Sequence, residues 1–84
     1  MTESKLRELF RDNTSTEKHT ITASAIVNIG TFAKITIEMD RKTLDYYYQV
    51  SINELVKSNM PNEEYDVMKN QGWVIKDDKL ILYV

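Results

Sequence analysis

The 84-residue sequence has no cysteine, one proline, two glycines and one histidine. Without cysteine there can be no disulfide staple, thiolate nucleophile or thiolate metal site. Such a chain fits a reducing compartment, and a cytoplasmic location is the expectation. The scarcity of glycine and proline beside many β-branched residues argues for a folded chain. The single histidine, His19, rules out a His-x-x-x-His pair, and no EF-hand spacing occurs. As a general base, His19 would need an orienting partner and a cleft. Its neighbours Lys18 and Thr20 instead suggest the mouth of a strand. Gly30 and Gly72 are too far apart to form a phosphate-cradling loop, and Ser15, Ser24, Ser51 and Ser58 lack the context of a nucleophile elbow. With the catalytic set missing, no enzymatic activity, metal or cofactor is expected.

Charge of one sign is also absent. Eleven basic and thirteen acidic residues are interleaved, giving a net charge of −2. A nucleic-acid binder usually carries a basic stripe, so nucleic acid is not an expected partner. The pairs Glu63-Glu64 and Asp77-Asp78 are too sparse for an acidic mimic of DNA. The start, MTESKLRELF, lacks the apolar centre of a signal peptide, and no apolar run reaches the length of a membrane span. No membrane association is therefore expected.

What is present is alternation. In TLDYYYQVSI, residues 43–52, Leu44, Tyr46, Tyr48, Val50 and Ile52 share one parity, and Asp45, Tyr47, Gln49 and Ser51 the other. That is a strand with one buried and one wet face. Upstream, Leu6, Leu9 and Phe10 have helical spacing, with Thr2 or Ser4 as cap, over residues 3–12. Residues 13–17 are polar and read as a loop. Residues 19–29 alternate, with Ile21, Ala23, Ala25, Val27 and Ile29 facing in, and predict a long strand. Gly30 then serves a hairpin turn. Residues 31–39 repeat the pattern through Ala33, Ile35, Ile37 and Met39, and with residues 43–51 they complete a three-strand meander.

Ser51 to Glu54 fits a capping box for a short helix ending near residue 59. Pro61 opens another helix over residues 61–70, with Glu63 and Glu64 in its first turn, Tyr65 and Met68 inside, and Gly72 just beyond. Residues 73–76 and 79–84 form a hairpin about Asp77-Asp78. The expectation is one α+β domain over residues 1–84: an antiparallel sheet of four to five strands, with helices on one face.

Two features can carry contacts. Parity assigns Tyr46 and Tyr48 to the core and Tyr47 to the wet face, flanked there by Asp45 and Gln49. The wholly apolar Leu80–Val84 stretch is either a central strand or one completed by another chain, with Ile81 and Tyr83 on the parity opposite Leu80. Tyr47, Asp45, Gln49, Ile81 and Tyr83 are therefore the candidate binding residues. The function expected is a small non-enzymatic protein-interaction module, self-associating through its C-terminal strand or sheet face. The alternative is binding of a small ligand or single-stranded nucleic acid through the Tyr47 face. Weaker still is an inhibitor of another protein, of the phage or mobile-element type.

Overall fold

A computed structural model describes residues 1–14 and 23–84. Its elements run α1 (Glu3–Phe10), α2 (Ala23–Gly30), β1 (Ile35–Met39), β2 (Tyr46–Ser51), α3 (Ile52–Lys57), α4 (Asn62–Gln71), β3 (Val74–Lys76) and β4 (Lys79–Tyr83). The four strands form one antiparallel sheet in the order β1-β2-β4-β3. It consists of two hairpins joined along β2 and β4, with α3 and α4 in the connection between them.

Register assigns the faces. Ile35, Val50, Leu80 and Ile75 lie in one cross-strand row, and Ile37, Tyr48 and Leu82 in the next. Val50, Leu80 and Leu82 are buried against Leu6 and Phe10 of α1, Ile29 of α2, Ile52 and Leu55 of α3, and Tyr65 and Met68 of α4. All four helices thus share one core with one sheet face, as the alternation of the strands requires. Trp73 fills the joint between α4 and β3 and is fully buried, its indole N–H donating to Gln71 Oε1 at 3.0 Å.

Local chemistry sets the element ends. Thr2 caps α1 by accepting the Lys5 amide at 3.2 Å. Ser51 caps α3 by accepting the Glu54 amide at 3.2 Å. Glu54 does not turn back to complete the capping box, because its carboxylate accepts the Lys34 amide at 3.0 Å, tying the entry of β1 to α3. Gly72 ends α4 at φ 94°, the left-handed region where a side chain is strained, and the Gly72 and Trp73 amides close on the Lys69 and Met68 carbonyls. Asn13 holds this corner to the end of α1: its Nδ2 donates to the Lys69 and Trp73 carbonyls, both at 2.9 Å.

Three expectations need correction. The strand expected over residues 19–29 is not one where it is described, since Ala23–Gly30 is helical; residues 19–22, including His19, Thr20 and Thr22, lie outside the described residues, as do residues 15–17 of the expected loop. Helical spacing puts Ile26 and Ile29 on the core side and leaves Val27 exposed. Strict alternation had placed Ile26 outside and Val27 inside. Alanine also favours helix over strand. Among the described residues the meander therefore has two strands, and Gly30 ends a helix.

Leu44 is not part of the inner stripe but sits in the β1–β2 turn at φ 64° and is 67 % exposed. Tyr46 has the expected parity but is 57 % exposed. The helical layer stops short of it: a six-residue helix such as α3 rises about 9 Å, a six-residue strand such as β2 about 20 Å. Of the two readings of Leu80–Val84 the central strand holds: β4 is paired on both sides along Lys79–Ile81 and offers no open edge there.

Candidate functional site

The sheet face away from the core brings most of the sequence-derived candidates together. Tyr47 lies opposite Tyr83 and Gln49 opposite Ile81, so these four share one face of β2 and β4. The rings of Tyr47 and Tyr83 are 5.4 Å apart and inclined at 50°, a tilted aromatic pair. Ile81 and Tyr83 are only 4 % and 8 % exposed, so they present little surface, whereas Tyr47 and Gln49 are half-buried. Asp45 lies at the mouth of the β1–β2 turn, near enough for its charge to act on the Tyr83 phenol; its carbonyl accepts the Asp40 amide at 2.8 Å and its amide donates to Thr43 Oγ1.

The same turn anchors Tyr83. Its hydroxyl donates to Asp40 Oδ2 at 2.9 Å, and the Lys42 amide donates to Asp40 Oδ1 at 2.9 Å. These bonds, the Lys42 amide foremost and then the Tyr83 hydroxyl, hold the Asp40 carboxyl below its ordinary value. Burial first, and then the Asp40 carboxylate, push the Tyr83 phenol above its own. The pair latches the end of β4 to the first hairpin and leaves neither group a base poised for catalysis.

Two shallow depressions flank Gln49. One, of about 110 Å³, lies between Tyr47, Gln49, Ile81 and the β3–β4 turn, where Lys76 and Lys79 are offset by Asp77 and Asp78. The other, of about 170 Å³, runs from Thr36 across Gln49 to Lys79. Both are smaller than the ~300 Å³ at which pockets enclose a drug-sized ligand. Among the described residues, no three His, Cys, Asp or Glu side chains converge as metal ligands, and no helix is long and apolar enough to cross a membrane.

A second surface was hidden from parity. Beyond the reach of the helices, the core face continues as an exposed apolar end formed by Ile37, Met39, Tyr46 and Val84. Met39 lies opposite Tyr46, and the Val84 amide donates to the Tyr46 carbonyl at 3.2 Å, so the patch is continuous across three strands. Leu44 stands at the adjoining turn, exposed and in a conformation that costs an L-residue about 1–2 kcal/mol. The sequence carried one signal of this: three strands of inward residues against few helical residues to cover them.

β1 borders the patch and, among the described residues, is a sheet edge. The Asp40 amide bonds to the Asp45 carbonyl, and antiparallel bonding alternates, so Thr36 and Glu38 direct their backbone groups to β2. Ile35, Ile37 and Met39 direct theirs outward. No family model, curated protein or solved structure matches the chain.

Proposed function

We propose that the chain is a small protein-interaction module, without catalysis of its own, whose contact surface is the apolar end of the sheet. The observation that carries this reading is the continuous exposure of Ile37, Met39, Tyr46 and Val84 beside an edge strand. Large apolar side chains gathered on one exposed patch mark contact sites, whereas singly scattered ones need no explanation. Aromatic and methionine side chains are also enriched in interfaces. The Tyr47 face supports ligand or nucleic-acid binding less well: its deepest aromatic is already packed and hydrogen-bonded, its depressions are small, and its lysines are offset by aspartates.

The test is a photo-reactive phenylalanine analogue at position 46, introduced in the cells that make the protein, with one at the exposed Asp66 of α4 as control. The reading expects a discrete protein adduct from position 46 that is absent from position 66 and is lost when Ile37→Asp is added. Adducts that are absent, or the same from both positions, would sink it.

A further inference from the structure

We propose that the partner at this edge is a second copy of the chain, joined by antiparallel pairing of β1 with β1 about a twofold axis at Ile37. The inference rests on the interaction reading above and adds the identity of the partner. The backbone groups of Ile35, Ile37 and Met39 face outward, and no hydrogen bond to them is seen among the described residues. Pairing centred on Ile37 sets Ile37 against Ile37 of the second copy, and Ile35 against Met39 of the second copy. Every outward amide then meets an outward carbonyl, in the closely spaced pairing of an antiparallel ladder.

Side chains favour the same register. It places Lys34 opposite Asp40 of the second copy and Thr36 opposite Glu38 of the second copy, each twice by symmetry. Lys34 and Glu38 are exposed, and Asp40 is kept ionised beside Tyr83. Shifting the centre to Glu38 sets Glu38 against itself and Lys34 against Lys42, and like charges directly opposite are destabilising. Centring on Thr36 leaves Met39 opposite the buried Ala33. In this pairing the core faces of the two sheets lie on the same side, and the Met39–Tyr46 ends of the two copies lie at opposite ends of the junction. The two four-stranded sheets become one continuous sheet, and the unpaired backbone edge of β1, otherwise an aggregation hazard, is closed. A junction of one five-residue strand per copy lies at the weak, transient end of interfaces.

Sedimentation equilibrium of the purified chain tests this. The wild-type mass should rise from 9.9 kDa towards twice that value as concentration increases to about 1 mM. Thr36→Lys creates two opposite-charge pairs with Glu38 of the other copy and should tighten association by about two- to thirtyfold, whereas Thr36→Glu should weaken it by a similar factor. Ile37→Pro removes an outward amide, a change an edge strand tolerates, and should abolish the dimer while leaving the circular dichroism spectrum intact. A wild-type chain monomeric throughout, or a dimer indifferent to all three substitutions, overturns the proposal. If the chain is monomeric while position 46 still yields an adduct with a different protein, this inference fails and the interaction reading stands. If the chain is monomeric throughout and position 46 yields no adduct of any kind, both fall.

Discussion

Asn13→Ala should loosen the corner where α1, α4 and β3 meet. The side chain gives one hydrogen to the Lys69 carbonyl and one to the Trp73 carbonyl, at 2.9 Å each and partly buried. Each such bond contributes about 0.5–1.5 kcal/mol net, more where its loss leaves a buried carbonyl without a donor. The Lys69 carbonyl keeps the Gly72 amide at 3.1 Å, which puts its share at the low end. The expected loss is about 2 kcal/mol, from a total that for a chain of this length is about 4–13 kcal/mol. Urea unfolding followed by the fluorescence of Trp73, the sole tryptophan, should show the midpoint fall by about 1–2 M. Asn13→Asp is the sharper variant. Its carboxylate cannot donate and sets negative charge against two carbonyl oxygens, so at neutral pH it should cost more than alanine. That excess should shrink below about pH 4, where the acid is protonated. A loss under about 0.5 kcal/mol for alanine, or an aspartate no worse than alanine at pH 7, would refute the reasoning.

Three further outcomes are expected. Tyr48→Ala removes a ring packed on the core and should cost about 2–3 kcal/mol, whereas Tyr46→Ala should cost under about 0.5 kcal/mol; equal losses in urea unfolding would contradict the short helical layer. Leu44→Gly relieves a left-handed backbone at an exposed turn and should stabilise by about 0.5–1 kcal/mol, so a fall in melting temperature counts against strain there. The Asp40–Tyr83 latch should show itself in pH dependence. With the folded Asp40 pKa depressed, its contribution is present above the ordinary value of 3.8 and is lost as pH falls through the folded value. With the folded Tyr83 pKa raised, its contribution is present below 10.0 and is lost as pH rises through the folded value. Tyr83→Phe should reduce the alkaline loss, leaving the part that the buried Tyr65 phenol contributes, and weaken the acid one, and an unchanged stability profile would break the assignment.

The fold class was legible because most of the chain obeys one period at a time. The Ser51 cap, the Gly72 stop and the Asp77-Asp78 turn are local chemistry, and the structure has each where the residues suggest. Residues 23–29 misled because Ala-Ser-Ala-Ile-Val-Asn-Ile satisfies both periods; Ile26 on the polar side was the residue that did not fit a strand. Tyr46 and Leu44 show a different limit. Parity assigns a face, but whether that face is covered depends on the length of the helical layer, a tertiary property. For the same reason parity could pair Tyr47 with Gln49 and Ile81 with Tyr83, while the register that joins the two pairs and the deep burial of Ile81 and Tyr83 could not be foreseen. The β1 edge was legible only once strand order was known, because β4 carried the stronger apolar signal and proved to be internal.

The central claim is that β1 meets another β1 at Ile37, and amide hydrogen exchange resolved by residue tests it most directly. The Ile35, Ile37 and Met39 amides point away from β2 and should exchange fast in dilute protein, then slow as concentration rises. The Thr36 and Glu38 amides, already bonded within the sheet, should be protected throughout and insensitive to concentration. Exchange at Ile37 that does not change with concentration, or that changes in step with Thr36 and Glu38, would contradict the account.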